Sequence, residues 1–137
     1  MTDKRLSLPF MRSDIEWAVE CLSNPEYQRR HWLGGEPEEG VSVDTFDESF
    51  HTLFDDRPGL AEDPHSTVGD YLIDDQEAEA MSALIAPLDK LLNKFGPLMT
   101  PQQAMSDPLW PLVVEKAQEL HHLFRQANFV PPPLRPW

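Results

Sequence analysis

Apolar residues recur at helical spacing through most of the chain, and the longest such run lies between Asp74 and Phe95. Asp74 and Glu77 have the spacing of a capping box, and Gly96 supplies a stop signal after the run. Pro87 removes a backbone donor inside this helix, so we expect a kink near residues 83–86. The apolar positions follow the three, four, seven spacing of a core-facing stripe. They are Met81, Leu84, Ile85, Leu88, Leu91, Leu92 and Phe95.

Similar signals predict helices near both ends of the chain. Ser13-Asp14-Ile15-Glu16 has the pattern of a capping box, which predicts a first helix from about Asp14 to Leu22. Thr100-Pro101-Gln102-Gln103 predicts a short helix in the same way, and Asp107-Pro108 predicts the start of the last one. The buried stripe of that last helix should consist of Val113, Ala117, Leu120, Phe124 and Ala127.

The middle of the chain carries weaker helix signals. Asn24-Pro25 predicts a short second helix that ends at Gly34-Gly35. Asp44 can cap a third helix, and residues 67–73 are assigned to helix although a short extended segment also fits them. The apolar face of the third helix is aromatic and consists of Phe46, Phe50, Leu53 and Phe54.

These elements predict an all-α protein with a single compact domain of five to seven helices over residues 1–130. A Pro-rich tail over residues 131–137 should run as polyproline II. The 137 residues, of which 40% are hydrophobic, suffice for one globular core. The lone Cys21 excludes an intramolecular disulfide and fits a reducing compartment. No apolar run approaches a membrane span and Met1–Leu8 lacks the apolar stretch of a signal peptide, so we expect a cytoplasmic protein that does not bind membranes.

Charge is distributed very unevenly along the chain. The stretch from Glu36 to Glu79, which we call the acidic window, holds fifteen carboxylates and a single base, Arg57, for a formal charge of −14. The whole chain carries −13, so the remainder is almost balanced. A concentrated negative field attracts cationic surfaces and repels nucleic acids and anionic membranes. The window therefore predicts a basic protein partner and no direct binding of nucleic acid.

One set of residues in the window could bind a metal. His51 and Asp55 lie four residues apart on the third helix, and Asp56 and His65 are conceivable further ligands. The alternative function is therefore a metal-binding protein or an enzyme that uses these four side chains. Such spacing arises often by chance and no HExxH pattern accompanies it, so exposed polar side chains are the favoured interpretation. We expect no metal, no cofactor and no catalytic residue.

Three further features have a plain structural interpretation. His121 and His122 are adjacent on a helix and point about 100° apart, so at most one can face a given site. Cys21 lies beside an apolar helix face, where a free cysteine usually behaves as a small buried hydrophobe. Residues 133–136 match PxxP, but that pattern is short, and a terminal strap that packs on the domain is favoured.

Five segments of the chain have a recognisable arrangement: Glu26–Trp32, Phe50–Asp56, Val68–Ile73, Asp75–Ala80 and Asp107–Val114. Together they resemble a family of small acidic helical bacterial proteins, the immunity proteins of contact-dependent growth inhibition (CdiI-like). The resemblance covers the chain from about residue 23 to residue 127. It implies a non-enzymatic protein that neutralises a cognate toxin by binding it, and it carries over no catalytic residue.

Toxins delivered between bacteria are frequently nucleases with basic clefts, which an acidic protein could cover. A regulatory or scaffold protein without any toxin is a further alternative. Some of the acids also have a structural explanation, since Asp74 can serve as a helix cap. The residues expected to bind the partner are Asp55, Asp56, Glu62, Asp63, Tyr71, Asp74, Asp75 and Glu79.

Overall fold

The computed structural model describes residues 5–34 and 45–129. Over these ranges the chain forms six α-helices and no β-strand, which confirms the all-α prediction. The predicted cap Asp44, the second glycine of the stop at Gly35 and the tail at residues 131–137 lie outside the described residues. The helices are α1 Pro9–Ser23, α2 Pro25–Tyr27, α3 Thr45–Phe54, α4 Asp75–Phe95, α5 Pro101–Ser106 and α6 Trp110–Ala127, with a π-helical turn Gln28–Leu33 after α2 and a 3-10 helix Pro64–Thr67 before α4.

The core lies between the four longest helices. The helix α6 packs against both α1 and α4, α3 packs against α1, and the 3-10 helix packs against α4. Each long helix contributes leucines or isoleucines that are at most 1% exposed. These include Ile15 and Leu22 of α1, Leu53 of α3, Leu88 of α4 and Leu120 of α6.

The helix α4 confirms the strongest sequence prediction. Met81, Leu84, Ile85, Leu88 and Leu91 of the predicted stripe are buried, whereas Leu92 and Phe95 are half-buried. The helix runs unbroken across Pro87, so the proline does not split it. Its predicted kink stays a prediction. Gly96 follows the helix with a φ of 83°, a conformation that glycine adopts without strain.

The capping box at the start of α4 is only half formed. The Asp74 carboxylate accepts a hydrogen bond of 2.9 Å from the Glu77 backbone N–H, as predicted. The Glu77 carboxylate does not reach back to the cap. It accepts instead from the Ile73 N–H at 2.8 Å and pairs with Arg12, because a buried carboxylate is stable only with a positively charged partner. The Thr100 and Gln103 capping box of α5 is complete in both directions.

The helix α1 begins at Pro9, five residues before the predicted start. Pro9 occupies the first helical position, which its fixed φ favours. Ser13 is therefore inside the helix, where its hydroxyl donates back to the Pro9 carbonyl at 3.4 Å. The predicted capping box of Ser13 and Glu16 is thus wrong. Glu16 instead forms an ion pair with Arg12, one turn earlier.

A buried glutamine joins the short α2 segment to two other helices. Asn24 caps α2 by accepting from the Tyr27 N–H at 3.1 Å, as predicted. The Gln28 side-chain amide donates to the carbonyls of Cys21 and Leu22, each at 2.9 Å, and its oxygen accepts from the Trp110 indole at 3.0 Å. All polar atoms of this fully buried amide are therefore engaged with α1 and α6.

Two predicted boundaries need correction. The segment Thr67–Ile73 was predicted as helix, but only Thr67 belongs to the 3-10 helix, and Val68 and Leu72 form an isolated β-bridge around a turn at residues 69–71. Gly69 has a φ of 94°, which a helix cannot contain, and its N–H donates to the Leu72 carbonyl at 2.8 Å. The last helix begins at Trp110 rather than at Asp107-Pro108, and Asp107 accepts a hydrogen bond from the Leu109 N–H at 2.9 Å.

Candidate partner-binding surface

Seven of the eight predicted partner-binding residues are exposed, and the structure places them in two clusters. The first lies at the end of α3 and in the approach to the 3-10 helix, and we call it the α3 cluster. The second lies at the amino-terminal end of α4, and we call it the α4 cluster. The α3 cluster consists of Asp55, Asp56, Glu62 and Asp63, and the α4 cluster of Asp74, Asp75 and Glu79.

Tyr71, the eighth residue, is buried. Its side chain belongs to the hydrophobic core and the residue is only 5% exposed. The turn around Gly69 directs this stretch inward, which its acidic neighbours in the sequence do not indicate. Burial, and then the charge of Asp70, raise the pKa of the Tyr71 hydroxyl. Tyr71 therefore cannot serve as an exposed aromatic anchor, and that prediction is wrong.

Arg57, the single base of the acidic window, connects the loop after α3 to α1. The Arg57 guanidinium forms an ion pair with Asp14 of α1 and donates to the Asp56 carbonyl at 2.9 Å. The two paired side chains are only 11% and 18% exposed. Asp14 lies outside the window, so Arg57 neutralises an acid of another region rather than any acid of either cluster.

A buried arginine neutralises one acid of the window. Arg12 is fully buried, and its guanidinium binds both carboxylate oxygens of Glu77, at 2.6 and 2.9 Å. It also donates to Glu16 at 2.7 Å and to the Tyr71 carbonyl at 3.0 Å, and it lies 4.1 Å above the Phe124 ring. This network therefore joins α1, α4, α6 and the turn before α4.

The Arg12 network explains two shifted pKa values. Burial alone disfavours the charged guanidinium, but the hydrogen bond and charge of Glu77, followed by those of Glu16, outweigh it and raise the pKa of Arg12. Burial also raises the pKa of Glu16, against the opposing effect of Arg12. Sequence reasoning missed this group. The available signal was the spacing of Arg12 and Glu16, which lie four residues apart on one helix face.

Neither of these two arginine ion pairs involves an acid of the α3 cluster or of the α4 cluster. Within residues 5–34 and 45–129, no lysine or arginine forms an ion pair with any of the seven exposed acids of the two clusters. Asp55 binds only His51, and Asp74 serves as the cap of α4. The acids of the two clusters are therefore exposed, and no lysine or arginine of the described residues neutralises them through an ion pair.

His51 lies between Asp47 of its own helix and Asp55, the residue that follows the end of α3. Its Nδ1 is 2.8 Å from Asp55, and its Nε2 is 3.2 Å from Asp47. The hydrogen bond to Asp55 is the main cause that raises the pKa of His51; burial opposes it, and the negative charges of Asp47, Asp55 and Asp56 add to it. Protonation of this imidazole therefore places a positive charge beside Asp55 of the α3 cluster.

The four side chains of the alternative metal site do not come together. Among the described residues, no three histidine, cysteine, aspartate or glutamate side chains form a group that could hold a metal ion. His51 directs its two nitrogens to different carboxylates, and Asp56 and His65 do not join them. Cys21 is buried, as predicted, and is 4% exposed.

An open groove runs beside the α3 cluster, between the end of α3, the 3-10 helix and the middle of α4. Its volume is about 480 Å³. Its acidic lining residues are Glu62 and Asp89, and none of the lysines or arginines of the described residues lines it. Its apolar lining includes Phe54, Ala61, Ile85 and Ala86.

Residues 6–130 match the model of a domain of unknown function (DUF7945), so the chain belongs to this family. No curated protein and no solved structure matches the chain. None of these comparisons links it to contact-dependent growth inhibition. Over the described residues, no helix combines the length and apolar character needed to cross a bilayer.

Proposed function

We propose that the protein is a non-enzymatic, cytoplasmic immunity-type protein that neutralises a cognate bacterial toxin by covering a basic surface of it. The observation that supports this proposal is the outward display of the two acidic clusters. Their acids are exposed and lack lysine or arginine partners in the described residues, while the only base of the window pairs with α1. A surface of this kind accelerates encounter with a cationic partner and disfavours anionic ones.

The fold supplies a rigid support for this surface. The Glu77 pair holds the start of α4 against α1, and the Arg57 pair holds the loop after α3 against the same helix. A surface fixed before binding loses less conformational entropy when the partner docks. The resemblance to contact-dependent growth inhibition immunity proteins adds the identity of the partner to the proposal. A regulatory partner protein with the same surface is the alternative.

The first test uses the product of the neighbouring gene, since an immunity gene should lie beside its toxin gene. Expression of that product alone should arrest bacterial growth, and co-expression of this protein should restore it. A stable complex of the two purified proteins should form. Failure of both rescue and complex formation would remove the toxin from the proposal and favour the regulatory alternative.

The second test removes the charge of the α3 cluster from the protein. Conversion of its four acids to amides should slow association by about tenfold or more and flatten the salt dependence of the association rate. The control is a variant that removes four exposed acids elsewhere and so makes the same change in net charge. An equal effect of the two variants would show that only net charge matters. The α3 variant changes Asp55, Asp56, Glu62 and Asp63, and the control changes Glu20, Glu26, Glu115 and Glu119.

A further inference from the structure

The groove beside the α3 cluster combines two kinds of surface. Its floor is apolar, with half-buried Phe54 and Ala61 on one side and buried Ile85 of α4 on the other, and the exposed Ala86 of α4 lies at its wall. Its rim is acidic. A partner group that fits both surfaces must carry an apolar side chain and a positive charge close to it.

We propose that this groove receives an apolar side chain of a cationic amphipathic segment, with lysines or arginines of that segment beside the rim. The inference deepens the proposed function and rests on it, because it names the part of the basic partner that docks here. The apolar side chain enters the floor between Phe54 and Ala86. The flanking cations face Glu62 and Asp89.

Charge complementarity favours this occupant over others. Glu62 and Asp89 are exposed and have no lysine or arginine partner among the described residues, and Asp89 only accepts a long hydrogen bond of 3.4 Å from Asn93. Asp55 and Asp63 directly follow groove residues in the chain, and Asp56 follows Asp55. A second copy of this chain carries the same charge of −13 and would be repelled.

The two surfaces should contribute differently to binding. Exposed charges mainly increase the association rate, and their effect is screened beyond about 8 Å at physiological ionic strength. Apolar side chains that fill a pocket mainly slow dissociation and determine the binding position. A probe with cations but no apolar side chain should therefore bind weakly, whereas a probe with both should bind at the groove.

The experiment uses the full chain and two fluorescent helical peptides with the same number of lysines. One peptide carries leucines at helical spacing on one face, and the other carries serines at those positions. Fluorescence anisotropy should give a Kd for the leucine peptide at least about tenfold below that of the serine peptide, as expected for one well-buried apolar side chain. Equal affinities would overturn the proposal.

One substitution tests the location. Ala86 is exposed in the middle of α4, and Ala86→Gln places a longer side chain at the groove wall. It should remove the preference for the leucine peptide while leaving the serine peptide unaffected. A preference retained in Ala86→Gln would show that the peptide docks elsewhere. Thermal unfolding of the variant checks that it folds.

A pair of charge variants gives an independent check. Asp89→Asn should weaken the leucine peptide about twofold to fivefold, the range of one exposed ion pair. Glu115→Gln also removes one negative charge, at an exposed residue of α6 that belongs to neither cluster and does not line the groove. It should have little effect on binding of the leucine peptide. Equal losses in both variants would refute the groove as the site.

These results separate the groove from the proposed function. If the protein neutralises the toxin but shows no preference for the leucine peptide, docking at the groove is refuted and toxin binding by the acidic surface is retained. If the leucine peptide binds as expected but the neighbouring gene product forms no complex, the toxin proposal is refuted and docking at the groove is retained.

Discussion

Replacement of Arg12 by methionine should destabilise the protein strongly. The substitution removes two hydrogen bonds to Glu77, one to Glu16 and one to the Tyr71 carbonyl, as well as the cation above Phe124. The Glu77 side chain is only 3% exposed, so its carboxylate would stay buried with the Ile73 N–H as its donor. Removal of one partner of a buried pair costs about 3–5 kcal/mol.

A double-mutant cycle distinguishes loss of the buried ion pair from a simple packing defect. Glu77→Met alone leaves a buried cation and should also be costly. Arg12→Met with Glu77→Met leaves no buried charge in the pair, so its loss should fall short of the sum of the single losses by about 0.5–3 kcal/mol. Arg12→Lys keeps the charge but cannot bind both oxygens of Glu77 in the same plane, and we expect an intermediate loss.

The assay is equilibrium unfolding in urea, followed by the helical circular dichroism signal, for the parent and all four variants. The reasoning would be refuted if Arg12→Met changed the free energy of unfolding by less than about 0.5 kcal/mol, which is the range of surface substitutions. It would also be refuted if the two methionine substitutions were additive, because a paired buried charge predicts coupling.

Two further predictions concern the core and pH. Leu88 of α4 is fully buried, so Leu88→Ala should lower the free energy of unfolding by about 2–5 kcal/mol, and a loss below about 0.5 kcal/mol in urea unfolding would contradict its position in the core. The raised pKa of His51 should stabilise the fold fully below the unfolded-state value of about 6.5, and this contribution should disappear as the pH rises through the folded value. An NMR titration of the ring should show that Asp55→Asn lowers the pKa of His51, and an unchanged pKa would exclude Asp55 as the main cause.

Sequence reasoning succeeded where the determinants were local. The capping box of Thr100 and Gln103 lies on the surface and depends only on neighbouring residues, and it forms as predicted. The apolar stripe of α4 depends only on helical periodicity. The cap at Asp74 also depends only on neighbouring residues, and it forms as predicted. The predicted contact from Glu77 back to the cap does not form, because Glu77 pairs with Arg12, which lies 65 residues earlier in the sequence.

The errors share the same physical origin. The position of Tyr71 depends on the turn at Gly69 and on the core that surrounds the ring, neither of which the acidic sequence around it indicates. The burial of Arg12 depends on partners from three other segments of the chain. The exposed acids were predicted correctly as exposed because their number far exceeds what local bases can neutralise. The groove was not predicted, since its walls come from α3, the 3-10 helix and α4 together.

Because Arg57 and Arg12 each form an ion pair with an acid of another segment, the stability of the fold should respond to salt in a particular direction. The exposed acids of the window repel one another in the folded protein, and added salt reduces that repulsion, while the largely buried pairs are screened much less. Salt should therefore stabilise the fold. The same ions weaken the attraction of the window for a basic partner. Folding and partner binding should thus depend on ionic strength with opposite signs, so a complex dissociated by salt should release a folded protein that is more stable than at low salt.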